Sequence, residues 1–431
     1  MRLFHQLLIY ALVVATTNNF VWFALTYFAY LSTRSVVATG VVGGLYLVGA
    51  ALSGFWLGSI VDHNKKKNVM LGSSVVTLLF FLAGLVFYHS VPSDSFTTVA
   101  NPQFWILVTL LLIGVLAGNI LNIAIPTLVT HLVPEDSRDK ANGLFGTVMG
   151  ISFAITSVAS GLVLGFLGMG WVLLLAPIFT VLAVLILVFI PLLEKKILHT
   201  EGGMAQKIDI KGTIAAVRLI PGLFALIFFT TFNNFLGGVF MALMDAYGLS
   251  LVSVQAWGVL WGFLSFGFIF GGLYIAKKGL GANPLRTLFL ANIAIWTACI
   301  IFPIQASLLL LIFGSLVWMF LFPFIEASEQ TIIQKVVPPE RQGRVFGFAN
   351  SVEQSASPLT AFLIGPLTQF IFIPFMTTGS GVELIGSWFG VGTGRGIALV
   401  FIVAGLIGLL VTILGMRSRS YHLLSRRYVQ R

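Results

Sequence analysis

One stretch of this sequence occurs twice: residues 127–134 read Thr-Leu-Val-Thr-His-Leu-Val-Pro, and residues 331–338 read Thr-Ile-Ile-Gln-Lys-Val-Val-Pro. The two copies are 204 residues apart, and the same offset relates Gly143 to Gly347. Self-similarity at a fixed offset indicates a duplicated structural unit. The sequence therefore predicts two similar halves in the same order along the chain.

The composition is that of a membrane protein. Of the 431 residues, 58% are hydrophobic and only 9% are charged, whereas about a quarter of the residues of a soluble domain are charged. The runs 7–31 and 396–416 contain no Asp, Glu, Lys or Arg and are long enough to cross a hydrocarbon core of about 30 Å. The first run is too long for a cleaved signal peptide. Cys299 is the only cysteine, which excludes a disulfide framework.

Apolar runs separated by polar loops predict an all-α membrane protein with twelve transmembrane helices. The first predicted helix contains Thr-Thr-Asn-Asn-Phe at 16–20, and the seventh contains Thr-Thr-Phe-Asn-Asn-Phe at 230–235. This second similarity relates the two halves by pseudo-symmetry about an axis along the membrane normal. The predicted helices are 7–31, 36–61, 69–89, 103–130, 142–168, 171–193, 219–246, 253–276, 286–304, 307–334, 344–376 and 395–416.

The longest polar stretch lies midway along the chain, between the sixth and seventh predicted helices. It divides the predicted helices into two six-helix bundles, and substrate is then expected to bind between the two halves. The predicted domains are an N-terminal bundle at 1–193, a cytoplasmic linker at 194–218, a C-terminal bundle at 219–416 and a basic cytoplasmic tail at 417–431.

The basic residues are distributed very unevenly. If the N-terminus is cytoplasmic, 22 of the 24 lysines and arginines fall in or next to segments on that side, and only Arg34 and Arg395 lie outside. The positive-inside rule then predicts that both termini are cytoplasmic. The predicted cytoplasmic segments are 62–68, 131–141, 194–218, 277–285, 335–343 and 417–431.

The loop after the second predicted helix reads Gly-Ser-Ile-Val-Asp-His-Asn-Lys-Lys-Lys at 58–67. It resembles the inner-loop signature of the major facilitator superfamily, which is a glycine, three residues, an aspartate and then a basic cluster. His63 stands where that signature usually has Arg or Lys, and Lys65 replaces a glycine. The second-half counterpart at 272–278 has no acid.

Two further loops, at 133–142 and 337–344, resemble those of the drug:proton antiporter branch, which contains macrolide-type and enterobactin-type exporters. The resemblance covers the whole chain. It implies the major facilitator fold, with two pseudo-symmetric six-helix bundles. Two antiporter features are absent, because the fourth helix has no arginine near Leu110 and the fifth has no Gly-Pro pair within 150–161.

Polar side chains at mid-depth occur in four predicted helices, the first, fourth, seventh and tenth. At about 1.5 Å per residue, they lie near the bilayer midplane, and the resemblance implies that these helices line the central cavity. The alternative is that the asparagines only join helices through hydrogen bonds. The predicted cavity residues are Asn18, Asn19, Trp22, Asn119, Asn122, Asn233 and Asn234.

Two acidic residues are predicted to carry a coupling proton. Glu326 lies at mid-depth in the tenth helix, and Glu353 lies about nine residues into the eleventh. A charged carboxylate is costly there and burial favours the neutral form, so an acid at this depth is a candidate proton carrier. Glu353 can alternatively belong to a structural network with its polar neighbours. Glu329, one turn nearer the cytoplasm, is predicted to be solvated or to pair with Lys335 or Arg341.

A conformational latch is predicted from Gly58, Asp62, Lys66 and Arg344. Asp62 ends the second helix, and the resemblance places it beside the start of the eleventh helix near Arg344. A carboxylate at a helix N-terminus is stabilised by roughly 0.3–1 kcal/mol, so this contact is expected to hold one access state. The alternatives are an exposed loop acid and, for the lysines, contacts with anionic lipid headgroups.

Other functional classes find little support in the sequence. Six histidines are scattered over loops and helix ends, so no metal site is predicted. There is no phosphate-binding loop ending in Gly-Lys-Ser or Gly-Lys-Thr, so energy is expected to come from an ion gradient. An integral-membrane enzyme, a channel or a receptor remain alternatives, as does a dedicated exporter of one metabolite such as a siderophore. The histidines are His5, His63, His89, His131, His199 and His422.

The function predicted from the sequence is secondary active transport, with proton-coupled efflux of hydrophobic or amphipathic compounds of the multidrug type. The protein is not expected to be an enzyme and needs no cofactor. Its predicted partners are a small-molecule substrate, protons and the lipid bilayer, with no nucleic acid despite the net charge of +10. We expect a monomer in the plasma membrane.

Overall fold

The computed structural model describes residues 2–33, 36–192, 210–252 and 254–430. Within these ranges every regular element is a helix. Twelve helical segments are long and apolar enough to cross a membrane. The prediction of an all-α protein with twelve transmembrane helices is confirmed.

The chain forms two compact units. The first contains residues 1–213 together with 337–351, and the second contains 214–336 together with 352–431. The units therefore follow the duplication, except that the beginning of the eleventh span packs with the first unit.

The first unit is built on helices whose small residues allow close packing. A Cβ atom on Gly114 of α4 would lie 2.6 Å from the ring of Phe81 on α3, and one on Gly84 would lie 2.9 Å from Leu111. Close approach at small residues is a common way to associate helices in lipid. The helices are α1 (Arg2–Thr33), α2 (Val36–His63), α3 (Lys66–Ser90), α4 (Pro102–Gly118), α5 (Leu121–Leu132), α6 (Arg138–Leu167) and α7 (Met169–Phe189).

The second unit has an aromatic core. The rings of Phe240 and Phe401 stack at 4.8 Å, and Trp296 covers Gly408, where a Cβ atom would lie too close to the indole. The remaining helices are α8 (Ile210–Arg218), α9 (Leu223–Leu249), α10 (Val254–Lys278), α11 (Pro284–Ile301), α12 (Leu308–Val336), α13 (Gln342–Leu367), α14 (Ile373–Thr377), α15 (Ser380–Phe389), α16 (Thr393–Arg417) and α17 (Arg419–Gln430).

Helix ends follow local sequence signals. Pro102 and Pro284 are the first residues of α4 and α11. Proline is favoured there because the N–H that it lacks would have no partner within the helix. The Asn283 side chain caps α11 by accepting the N–H of Arg286 over 3.2 Å. Gly168, with φ of 84°, makes the tight connection between α6 and α7, a conformation that glycine adopts without strain.

Three features were not predicted from the sequence. The fourth span is broken at residues 119–120, between α4 and α5. Residues 380–389 form α15 in a predicted loop, and the predicted basic tail contains α17. This last helix packs on the second unit, since Leu424 is buried and Tyr421 meets Phe289 edge-on at 5.1 Å.

Residues 194–209 of the predicted linker lie outside the described residues, as do Leu193, Arg34 and Arg431. The last part of that linker forms α8 (Ile210–Arg218).

Candidate functional site

The predicted latch residues lie together in the first unit, where the end of α2 meets the start of α13. The backbone N–H of Gly343 donates to Asp62 Oδ1 over 2.6 Å, and that of Arg344 donates to Oδ2 over 2.8 Å. Arg344 Nε lies 3.7 Å from the same Oδ2. The first N–H groups of a helix have no partner within the helix, so a carboxylate at this position satisfies two of them. The role of this contact as a latch stays a prediction.

Glycines make this contact possible. A Cβ atom on Gly58 of α2 would lie 2.5 Å from the carbonyl oxygen of Gly343 and 3.1 Å from the Cα of Gly347. The two helix backbones touch because neither side carries a side chain at the crossing. Lys66 is buried at the start of α3, and its positive charge acts on the Asp62 carboxylate.

The two neighbouring asparagines of α1 have different surroundings. Asn18 is buried, with 8% of its surface exposed, and its amide packs directly against Gly118 of α4. Asn19 is half-buried and donates to Ser152 Oγ on α6 over 3.2 Å. For Asn18 the geometry favours the helix-packing alternative over cavity lining.

The structure brings two other predicted cavity residues together through an aromatic residue. Trp22 on α1 packs on the ring of Tyr46 on α2 with centroids 4.3 Å apart. Asn119, at the break after α4, donates its amide to the Tyr46 hydroxyl over 3.5 Å. Asn122, one turn further along, is exposed. This part of the first unit therefore presents aromatic and amide groups and no formal charge.

In the second unit, both the nitrogen and the oxygen of the Asn233 side-chain amide form hydrogen bonds to other residues of that unit. Its nitrogen donates to the carbonyl of Phe229 over 2.8 Å, and its oxygen accepts from Trp296 Nε1 over 2.7 Å. These bonds join α9 to α11, so the helix-joining alternative is favoured for Asn233. The neighbouring Asn234 is half-buried, and its backbone carbonyl accepts from Ser357 over 3.3 Å.

Three carboxyl groups form a cluster inside the second unit, and we call Glu326, Glu329 and Glu353 the carboxyl cluster. The hydroxyl of Thr230 on α9 lies 2.8 Å from Glu353 Oε1 and 3.3 Å from Glu329 Oε1. Glu329 and Glu353 are also within hydrogen-bonding reach of each other. Glu326 is close enough to Glu353 for their charges to interact.

The prediction that Glu329 is solvated or paired with Lys335 or Arg341 is wrong. Glu329 is buried, with 7% of its surface exposed. Residues three apart lie on the same face of a helix, so Glu329 follows Glu326 on the face of α12 that meets α9 and α13. Both acids therefore belong to one cluster.

The carboxyl cluster contains no compensating cation within the part of the chain that the structure describes. The partners of its members are Thr230 and one another. The described residues also contain no group of three or more His, Cys, Asp or Glu side chains arranged to hold a metal ion. What the cluster can hold is a proton, because a hydrogen bond between two carboxyl groups requires one of them to be protonated.

Sequence reasoning missed three residues of these sites. Thr230 lies in the repeated Thr-Thr stretch, which signalled its position but not its partners. Glu329 was recognisable only from its helical relation to Glu326. Tyr46 carried no polar signal, since a tyrosine in an apolar run is ordinarily a packing residue.

Two tryptophans of α10 donate hydrogen bonds to an exposed acidic side chain. Trp257 Nε1 and Trp261 Nε1 both donate to Asp245 Oδ1, over 2.9 and 3.2 Å. Asp245 itself is exposed near the end of α9. Each of these two rings is therefore oriented by a hydrogen bond within the second unit.

A model of the Major Facilitator Superfamily matches residues 7–361 of the chain. The macrolide efflux protein A of Enterococcus faecalis is 22% identical over 323 residues, covering 72% of this chain and 94% of that protein. The protein of the same name from Streptococcus pyogenes is 21% identical over 361 residues, covering 80% of this chain and 84% of that protein.

Solved structures of similar fold cover nearly the whole chain. A bacterial homologue of the iron transporter ferroportin, in an outward-facing state, superposes with a TM-score of 0.67 at 15% identity and covers 97% of this chain and 100% of that one. The human organic anion transporter MFSD10 superposes with a TM-score of 0.64 at 14% identity, covering 93% and 99% of the two chains. At these identities the similarity establishes the fold alone.

Proposed function

This chain belongs to the Major Facilitator Superfamily, and we propose that it is a proton-coupled exporter of hydrophobic or amphipathic small molecules that works by alternating access. Membership makes it a membrane transporter of small molecules. The proton, the direction and the class of substrate are the parts that we propose.

The carboxyl cluster is the observation that carries the proposal. The single hydroxyl group of Thr230 lies 2.8 Å from Glu353 and 3.3 Å from Glu329, and no lysine or arginine among the described residues pairs with them. Two carboxylates held this close repel each other unless a proton lies between them. Proton binding is therefore coupled to the distance between α12 and α13, on which these two acids lie. Moving these helices apart would release the proton.

Glu326 is the member that we propose to exchange protons with the substrate pathway. It is half-buried, whereas Glu329 is buried, so it is the more accessible acid on α12. In the repeat it corresponds to Asn122, which is neutral. The acid is thus specific to the second half, as expected if one half provides the proton site and the other contributes to substrate binding.

The residues of the first unit support a lipophilic substrate. The packed rings of Trp22 and Tyr46 and the nearby amide of Asn119 offer stacking and single hydrogen bonds without a fixed charge. If these groups line the substrate pathway, as we propose, they suit a large, mostly apolar molecule better than a sugar or a small ion. Export is supported by the similarity to two proteins named for macrolide efflux.

The orientation proposed is the one indicated by the basic residues, with both termini in the cytoplasm of the cell that makes the protein. The latch contact of Asp62 then lies on the cytoplasmic side. It would hold that side closed and break when the transporter opens inward. Lys66 and the tail arginines would lie at the same membrane surface.

Proton movement during transport tests the proposal. Inverted membrane vesicles containing the protein are loaded with a pH-sensitive dye and energised, and a macrolide antibiotic or a lipophilic dye is added. We expect substrate-dependent loss of the pH gradient, with the Glu326→Gln variant inactive in the assay. Substrate uptake into vesicles without any proton movement would overturn proton coupling while leaving transport intact.

A further inference from the structure

A cavity of about 170 Å³ lies in the second unit, beneath the tail helix α17. It is located at the beginning of α9 and α11 and at the end of α16, where three membrane-spanning helices meet the membrane surface. The wall of the cavity is aromatic. Phe229 stacks on Phe289 with centroids 4.4 Å apart, and Tyr421 of α17 meets Phe289 edge-on at 5.1 Å. The cavity therefore lies at the level where the headgroup of a lipid joins its acyl chains.

Specific contacts hold the tail helix over this cavity. Asn283, just before α11, donates its side-chain amide to Ser425 Oγ over 2.7 Å, and Leu424 is buried. Gly222, with φ of 85°, lies so close to α17 that a Cβ atom would collide with the carbonyl oxygen of Ser420. The cavity is therefore a built feature of the second unit and not a gap beneath a loose tail.

The mouth of the cavity continues into an apolar surface. Ala225 lines the cavity and is exposed, and Phe228, on the same face of α9, is 51% exposed. On α16, Leu414 is 58% exposed and precedes the lining residue Gly415. Both exposed side chains lie further into their spans than the lining residues beside them. An apolar path therefore leads from the cavity toward the middle of the membrane.

Arginines flank the same cavity. Arg286 is next to a lining residue of α11, and its charge acts on the hydroxyl of Tyr421. Arg417 and Arg419 lie on either side of the lining residue Ser418. All three arginines are exposed, and no acid among the described residues pairs with them. The acids of the second unit lie in the carboxyl cluster, near the opposite end of α9 and in α15. The positive charge beside the cavity thus has no counter-charge from the described part of the chain.

We propose that this cavity binds an anionic phospholipid, with its phosphate between Arg286 and Arg419 and part of one acyl chain against Phe229 and Phe289. A choline headgroup would add a cation among the arginines, so a headgroup with net negative charge is favoured. A free phosphate would leave the aromatic cavity and the apolar path without a ligand. The orientation proposed above puts the site in the cytoplasmic leaflet, whose anionic lipids attract basic segments next to membrane spans.

Lipid binding to the purified full chain tests the proposal. The protein in detergent is titrated with dioleoyl phosphatidylglycerol or with dioleoyl phosphatidylcholine, which has the same chains and no net charge, and bound lipid is measured by native mass spectrometry. Each basic residue near a membrane surface strengthens attraction to anionic lipid about fivefold, so phosphatidylglycerol should bind at least about tenfold more tightly. Equal affinities would overturn the proposal. The assay uses neither substrate nor gradient, so its outcome does not depend on proton coupling.

Two pairs of substitutions separate this site from a general effect of charge. Arg286→Gln with Arg419→Gln should weaken phosphatidylglycerol binding about 25-fold and leave phosphatidylcholine binding within about twofold of wild type. Lys277→Gln with Lys278→Gln removes the same charge from the exposed end of α10 and should match wild type. An equal loss in both pairs would overturn the proposal in favour of diffuse attraction to anionic lipid.

A third comparison separates a lipid from a free anion. Ala225→Phe narrows the mouth of the cavity with all arginines present, and it should weaken phosphatidylglycerol binding at least about tenfold. Each buried methylene group strengthens binding about fourfold. Glycerol 3-phosphate should therefore compete only at concentrations more than about a hundredfold above those of the lipid. Competition at equal concentrations would assign the arginines to a free anion and overturn the lipid site, as would wild-type affinity in Ala225→Phe.

Discussion

Thr230 donates its hydroxyl hydrogen to Glu353 across 2.8 Å, joining α9 to α13 inside the second unit. The same hydroxyl lies 3.3 Å from Glu329, so one hydroxyl hydrogen is available for two carboxyl groups. In the proposed mechanism a second proton, bound between the carboxyl groups, completes the network. We propose that this arrangement links proton occupancy to the packing of three helices, which is what coupling requires.

Removing the shared donor tests this network. Thr230→Val keeps the shape of the side chain and loses the hydroxyl, whereas Thr230→Ser keeps the hydroxyl. A hydrogen bond to a charged group contributes about 1.5–3 kcal/mol, so Thr230→Val should lower the initial rate of proton-driven transport by at least about tenfold. Thr230→Ser should stay close to wild type. Equal rates for the two variants, at equal amounts of folded protein, would show that the hydroxyl is dispensable.

Asp62→Asn should slow turnover more than it weakens substrate binding. An asparagine has an oxygen at only one of the two positions that now accept the backbone N–H groups, and it loses the charge that attracts Arg344. A shift of about 1.5–3 kcal/mol in the latched state corresponds to roughly tenfold or more in the conformational equilibrium. The measurements are equilibrium binding of a fluorescent substrate and vesicle transport rates. Parallel loss of affinity and rate would count against a latch.

Gly58→Ala should impair transport through crowding alone. Its Cβ would lie 2.5 Å from the carbonyl oxygen of Gly343, so α2 and α13 would have to separate. Gly72→Ala is the matched control, because a Cβ there meets nothing within 4 Å. We expect about a tenfold lower rate for the first variant and no change for the second. The distance between two spin labels, attached to cysteines introduced at Asn64 and Glu340, should lengthen only in Gly58→Ala. An unchanged distance would refute the steric explanation.

The fold was predictable from the sequence because its determinants are long-range patterns. Apolar runs of membrane length, the repeat linking Thr127 to Thr331, and the basic asymmetry each depend on many residues. The short helix α15 and the tail helix α17 were not predicted from the sequence. Each is short and amphipathic, so its formation depends on the helices against which it packs.

The candidate sites were predictable only in part. The superfamily resemblance paired Asp62 with Arg344, and the structure shows that the two residues are in contact. Glu329 was placed in solvent because distance along a helix was considered without its face. The asparagines could not be separated from sequence, since Asn233 and Asn19 have the same chemistry and differ only in which neighbours reach them. Side-chain partners from other helices decide that difference.

Proton-driven accumulation in proteoliposomes tests the central claim most directly. Purified protein is reconstituted with an imposed pH gradient and membrane potential, which together drive protons inward at about 2.3 kcal/mol per charge for each 100 mV, and movement of a macrolide against its gradient is measured. Wild type and the exposed-acid control Glu383→Gln should accumulate substrate. Glu326→Gln should lose gradient-driven accumulation while retaining exchange of substrate across the membrane. Accumulation at the wild-type level by both Glu326→Gln and the Glu326→Gln, Glu353→Gln double variant would contradict proton coupling through the carboxyl cluster.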